Sequence, residues 1–217
     1  MARIVIIGGH GKIALRLAPL LIDRGHEVTS LFRNAAHTDA VAATGAQPLV
    51  ADLEQLDAQA LTDLLVGNDA LVWSAGAGGG NPPRTHAVDQ VAAIESMEAA
   101  AEAGINRYVM VSWLRSGPDH GVDPDSSFHP YAEAKAAADA HLRGTDLHWT
   151  IVCPGALTDD PPTGRIEIAE VPAASSVTRG DVAEVIAETL ERSATVGATI
   201  RFNNGDTAIS DALDRLV

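Results

Sequence analysis

The sequence predicts an α/β fold, doubly wound around a mainly parallel sheet and completed by a small C-terminal portion. Three observations predict it. Short β-branched runs alternate with Ala- and Leu-rich stretches of helical length. The first strand, residues 3–7, carries the run Ile4-Val5-Ile6-Ile7, apolar at every position, and a glycine-rich turn leads straight from it into the first helical pattern. An unbroken apolar run fits a strand covered on both faces, as in a parallel sheet flanked by helices. Strands alternating with helices form βαβ units, and right-handed crossovers place the helices on both faces.

The elements follow in order. Residues 12–24 set Ile13, Leu17, Leu20 and Leu21 at helical spacing, with Gly25 as the stop. Residues 27–32 form a second strand and 46–51 a third. A helix over 57–66 precedes a fourth strand at 70–74, and a long Ala-rich helix over 85–103 ends at Gly104. Residues 107–112 form a fifth strand, 131–143 a helix and 147–152 a sixth strand. After Pro154 the rhythm loosens, leaving a strand at 165–169, a helix at 181–192, a strand at 198–202 and a short helix at 210–216. The irregular stretches 76–83 and 115–129 each follow a strand. They therefore fall at the carboxyl edge of the sheet, where such folds bind ligands. The expectation is one domain over residues 1–217, with a cofactor-binding core at 1–154 and a short substrate-side segment at 155–217.

Composition narrows the function classes. Of 217 residues, 46% are hydrophobic and 20% charged, which is globular rather than disordered composition. Fifteen basic residues against twenty-nine acidic ones give a formal charge of −14, which argues against nucleic-acid and anionic-membrane partners. The single Cys153 excludes an internal disulfide and a Cys-based zinc site, and fits a reducing, cytoplasmic setting. No apolar run approaches the roughly 20 residues of a membrane span, and the opening run is too short for a signal peptide. Eight histidines are scattered without metal-ligand spacing, so no metal is expected.

Chemistry concentrates in two motifs. Gly8-Gly9-His10-Gly11-Lys12-Ile13-Ala14 joins the first strand to the first helix. Glycines let the backbone turn tightly and approach a pyrophosphate, which then meets the free N–H groups of a helix N-terminus. A mononucleotide P-loop is excluded, because Ile6 and Ile13 stand where it needs Gly and Ser/Thr. The second strand runs into Phe32-Arg33-Asn34 with no acid at its tip. Arg33 is placed to pair with a 2′-phosphate, which favours NADP(H) over NAD(H). Asp52-Leu53 either holds the adenine edge or begins the next helix as its cap. Ala75-Gly76, ending the fourth strand, are small enough for a cofactor to lie over them.

The second motif is Tyr131-Ala132-Glu133-Ala134-Lys135, with Tyr and Lys one helical turn apart. A neighbouring ammonium stabilises phenolate and lowers the phenol pKa, so that Tyr can exchange a proton with a substrate oxygen while a nicotinamide carries the hydride. The chain has two lysines, Lys12 and Lys135, and each falls inside one of the motifs. Ser112 ends the fifth strand, where its hydroxyl can enter the same cleft.

In this order the residues Gly8, Gly11, Ala14, Asp52-Leu53, Ala75-Gly76, Ser112, Tyr131, Lys135 and Pro154-Gly155 resemble the short-chain dehydrogenase/reductase superfamily. The closer likeness is to its atypical, extended-related NAD(P)H-binding branch, with flavin and biliverdin reductase relatives and NmrA-like sensors. The likeness implies an NAD(P)-binding Rossmann fold. It also implies a catalytic set of Ser112, Tyr131 and Lys135, with Lys135 on the nicotinamide ribose and Pro154-Gly155 near the nicotinamide. The full cofactor set expected is Gly8, Gly9, His10, Gly11, Lys12, Ile13, Arg33, Asn34, Asp52, Leu53, Ala75, Gly76, Lys135, Pro154 and Gly155. Asp89 stands where extended members often have Asn, and the C-terminal segment is short for a nucleotide-sugar epimerase.

The expected function is an NADPH-preferring oxidoreductase that transfers hydride to a small carbonyl substrate, with Tyr131 as general acid/base. Two alternatives remain open: a flavin-type reductase and a cofactor-sensing regulator without turnover. The partner expected is a small molecule, and the protein is either a monomer or a homodimer.

Overall fold

The computed structural model describes residues 1–78, 80–170, 173 and 175–216. Its strands are β1 (Arg3–Ile7), β2 (Glu27–Phe32), β3 (Gln47–Val50), β4 (Ala70–Trp73), β5 (Arg107–Val111), β6 (His148–Pro154), β7 (Ala156–Thr158), β8 (Arg165–Ile168), β9 (Ser176–Thr178), β10 (Ala198–Asn204) and β11 (Thr207–Ala208). Its helices are α1 (Ala14–Asp23), α2 (Thr38–Ala42), α3 (Ala58–Leu65), α4 (Pro82–Thr85), α5 (Ala93–Glu102), α6 (His129–Arg143), α7 (Arg179–Glu191) and α8 (Ile209–Asp214). The main sheet runs β3-β2-β1-β4-β5-β6-β10-β8-β11. The pairs from β3 through β10 are parallel, while β8 and β11 close the edge antiparallel. This is the doubly wound Rossmann arrangement that the sequence predicts.

Strand alternation splits the core into two layers. Ile4 and Ile6 of β1 pack with Leu17 of α1, Val182 and Ile186 of α7 and Leu213 of α8. Val5 and Ile7 point the other way, into Leu61 and Leu65 of α3, Met97 of α5 and Leu142 of α6. Each such aliphatic side chain contributes about 1.5–3 kcal/mol when fully buried. That is why an apolar run without polar interruption forms a central strand here.

Arg107 crosses this pattern from β5. Its guanidinium donates to His148 O (2.7 Å), Thr150 Oγ1 (2.9 Å), Thr189 O (2.8 Å) and Thr195 Oγ1 (3.2 Å), which ties β5 to β6 and to the end of α7. Burial pulls its pKa down to about 10.

Several elements differ from expectation. The helix predicted over 85–103 starts earlier, at α4, and passes through a π-helical segment, His86–Ala92, before α5. Its start signal is Asn81, whose side chain accepts the Arg84 N–H at 3.1 Å, followed by Pro82 and Pro83 in the first turn. α7 starts at Arg179, with Thr178 Oγ1 accepting the Asp181 N–H at 3.0 Å. The elements α2, β7, β9 and β11 were not foreseen. Each has five residues or fewer, too short for a periodic pattern. Among the described residues no helix is long and apolar enough to cross a membrane.

Candidate active site

The strand order reverses between β1 and β4, and such switch points leave a crevice at the carboxyl ends of the strands. A cleft of about 310 Å³ lies here. It is lined by Gly8, His10 and Gly11 from the turn after β1, Arg33 and Asn34 after β2, Asp52 and Leu53 after β3, and Ala75 and Gly76 after β4. Nine of the expected cofactor residues are therefore brought together from four loops. Gly8 shows why that position tolerates no side chain. Its φ is +87°, and a Cβ would lie 2.5 Å from the backbone nitrogen of Ala75. Asp52 lines the cleft, and its side chain caps the turn after β3 by accepting the Glu54 N–H at 3.2 Å.

Three further residues of the cleft escaped the sequence reading. His37 stacks on His10 with ring centroids 3.5 Å apart and planes 14° from parallel. Burial and His37 together lower the His10 pKa. Arg84 and Arg33 both donate to Glu54 Oε1, at 3.2 and 3.3 Å, so two cations meet one acid beside the β2 tip. Arg84 also donates to Ala77 O at 2.9 Å. The Asn81-Pro82-Pro83 helix start was the available signal for Arg84.

Other expected cofactor residues lie elsewhere. Gly9 packs against Ser30 beneath the turn, and Ile13 is buried in the α1 layer of the core. Lys12 turns away to Asp159, with Nζ at 2.6 Å. Pro154 ends β6, and Gly155 continues toward β10 through its N–H to Phe202 O (3.0 Å). None of these five residues, nor Lys135, lines the cleft.

Gly76 also borders a second cavity of about 890 Å³. Tyr131, Asp89, Thr85, Phe128, Leu157 and Arg179 line it, with Asn81 and Asp125. Pro130 in the first turn of α6 brings the helix start to His129 and sets Tyr131 at the cavity wall. Asp89 comes from the π-helical segment and is buried, and Oδ2 accepts the Ala77 N–H at 3.0 Å. Burial raises its pKa, while that hydrogen bond, Lys135 and Arg84 oppose the rise.

The Ser112, Tyr131 and Lys135 set departs from the expected arrangement. Ser112 Oγ donates to Asp139 Oδ2 at 2.6 Å, and Ser116 Oγ donates to the same oxygen at 2.5 Å. The Ser112 hydroxyl hydrogen is thus committed away from the cavity. Lys135 is buried beside Met110, to whose Sδ its ammonium donates at 3.0 Å. Burial lowers the Lys135 pKa, with Asp139 and Asp89 opposing. The Tyr131 phenol is pushed up, first by burial and then by Asp89 and Asp139. This reverses the direction expected from a lysine one turn away, because burial of the phenol comes first and the charges of Asp89 and Asp139 add to it.

The fold also gathers three dispersed side chains next to this cavity. His120, His129 and Glu133 place one ligand atom each within 4.8 Å of the others. His120 Nδ1 accepts the Val122 N–H (3.0 Å), so Nε2 carries the proton shared with Glu133 Oε1 at 2.7 Å. An Nε2 in that state donates and does not ligate. The cluster is a clasp that fixes the loop after β5 onto α6.

A family model described as NAD(P)H-binding matches residues 8–193. A Bacillus subtilis (strain 168) protein described as the uncharacterized sugar epimerase YhfK is 32% identical over 99% of this chain and 100% of its own. A Bacillus halodurans structure, described as a candidate NAD-dependent epimerase/dehydratase, aligns with a TM-score of 0.91 at 32% identity, covering 99% of this chain and 100% of that one. The oxidoreductase ylbE from Lactococcus lactis aligns with a TM-score of 0.87 at 28% identity, covering 99% and 96%.

Proposed function

The chain belongs to the NAD(P)H-binding family, and from that premise we propose that it is an NADPH-preferring oxidoreductase acting on a small carbonyl compound in the Tyr131 cavity. The observation that carries this reading is the adjacency of the two spaces: the cleft at the switch point and the Tyr131 cavity share Gly76 as a wall. When bound, the nicotinamide supplies the hydride. The chain does the rest. The turn at Gly8 and Gly11 brings backbone to the phosphates, and the missing Cβ of Gly8 leaves that approach open. Arg33 and Arg84 hold the 2′-phosphate in place of Glu54, as guanidinium forks suit phosphate oxygens. Tyr131, with its pKa raised, keeps its proton at neutral pH and is in the state needed to donate it to a developing alkoxide. Lys135, buried against Met110 Sδ and lining neither space, bears on the cavity through its charge interaction with Asp89. Ser112 acts as a support through Asp139 rather than as a donor to substrate.

Calorimetric titration with NADPH and NADH tests the cofactor. Arg33→Ala should weaken NADPH binding by about 10-fold or more, the scale of one charge-assisted contact, and leave NADH within about 2-fold. No binding of either nucleotide by the wild type would sink the reading.

A second reading is favoured by the engaged Ser112 hydroxyl: hydride transfer to a flavin-like ring, which needs little help from a side-chain donor. Tyr131→Phe separates the two. Carbonyl turnover should fall by about 10²- to 10⁴-fold, whereas flavin reduction should stay near the wild-type rate. Because one relative is described as a sugar epimerase and another as an epimerase/dehydratase, sugars are assayed beside small carbonyls and flavins.

A further inference from the structure

Arg179, the first residue of α7, lines the larger cavity together with Tyr131 and Leu157. Its Nη1 lies 3.1 Å from Asp159 Oδ1. The same carboxylate receives Lys12 Nζ at 2.6 Å and Arg16 Nη2 at 3.3 Å. Three cations therefore share one acid, in a chain whose formal charge is −14. The neighbouring Asp160 forms no ion pair with them among the described residues, and of the cavity's acids Asp89 accepts the Ala77 N–H while Asp125 forms no ion pair with Arg179.

We propose that Arg179, backed by Lys12 and Arg16, anchors an anionic group of the substrate, a carboxylate or a phosphate, and that Asp159 occupies this anchor until the substrate arrives. The proposal rests on reading the Tyr131 cavity as the substrate site, and it adds the charge of the substrate to that reading.

The energetics favour exchange. Asp159, Lys12 and Arg16 are 46%, 65% and 40% exposed, and ion pairs so open to water are weak and screened by salt. Arg179 is only 20% exposed, and its planar fork gains most from an anion that reaches it from the cavity side. Hydrogen bonding from Lys12, with Arg179 and Arg16 nearby, holds the Asp159 carboxyl below the usual carboxylate range. It is therefore ionised at neutral pH, an internal stand-in for a substrate carboxylate. Asp89 and Asp125 disfavour an anion at their own part of the wall, which orients the substrate with its charge toward Arg179.

The test is calorimetric titration of NADP⁺-saturated protein with inorganic phosphate, since saturation fills the phosphate positions of the cofactor. Wild type should show one phosphate site. Arg179→Gln should weaken it at least tenfold while keeping the NADP⁺ affinity, and Asp159→Asn should tighten it severalfold because the competing carboxylate is gone. Equal phosphate affinity in wild type and Arg179→Gln, or no gain in Asp159→Asn, overturns the proposal. Loss of NADP⁺ affinity in Arg179→Gln also overturns it, by assigning the anion to the cofactor's own pyrophosphate. Should the wild type not bind NADP⁺, the cofactor reading is at fault. The comparison of Asp159→Asn with wild type, run without nucleotide, then still decides the anchor.

Discussion

Lys135 sits at 1% exposure with Met110 Sδ as its hydrogen-bond acceptor, although Asp139 lies one helical turn further along α6. Burial lowers its pKa more than Asp139 and Asp89 restore it. Between the folded value and 10.5, the unfolded chain holds a proton that the folded protein has released. Stability attributable to this group therefore rises with pH across that interval, and at neutral pH the lysine is a net cost. Lys135→Met should raise Tm at pH 7, with the advantage shrinking as the pH approaches 10.5, and should lower turnover at the same time. Thermal unfolding at pH 7 and pH 10 checks this; a lower Tm for the variant at pH 7 would show that Asp139 needs the ammonium more than burial penalises it. The residue type and its spacing from Tyr131 were legible in the sequence. The sign of the Tyr131 pKa shift was not, because the burial of the phenol, and then the approach of Asp89 and Asp139, arise only through folding.

Elements were most legible where length and capping agree. β1 and β2 match the sequence expectation residue for residue, since an apolar run bounded by glycine or charge has few other solutions. The joint between β1 and α1 is the most constrained of these features. Gly8→Ala would place a Cβ 2.5 Å from Ala75 N at a φ of +87°, against backbone that cannot swing aside. A stability loss of about 2–4 kcal/mol is expected in urea unfolding, combining left-handed strain with the clash, together with loss of nucleotide binding. Loss of binding without loss of stability would mean that the turn can rearrange. Among the elements left unread, β7 and β9 exist through each other rather than through local pattern. β7 and β9 are three residues each and find each other across an intervening strand and loops.

At the scale of the whole molecule, one sheet separates two apolar layers, each sealed by its own helices. Ile6 belongs to the layer under α1 and α7, and Ile151 to the layer under α3, α5 and α6. Ile6→Val and Ile151→Val should each cost about 1 kcal/mol, and the double variant should cost their sum within about 0.5 kcal/mol. Denaturant unfolding of the four proteins measures this. A large coupling term would mean that the layers communicate through the sheet.

The sequence alone determined the alternation of strands and helices, the glycine turn at residue 8, the arginine at the β2 tip and the Tyr131–Lys135 spacing, because each depends on neighbours within a few residues. Only the tertiary structure decided what these groups face. It set Arg84 beside Arg33, stacked His37 on His10, gave the Ser112 hydroxyl to Asp139 and drew Lys12 to Asp159. Hydrogen bonds and charges act over a few ångströms regardless of separation along the chain, so partners 147 residues apart, such as Lys12 and Asp159, leave no local pattern to read.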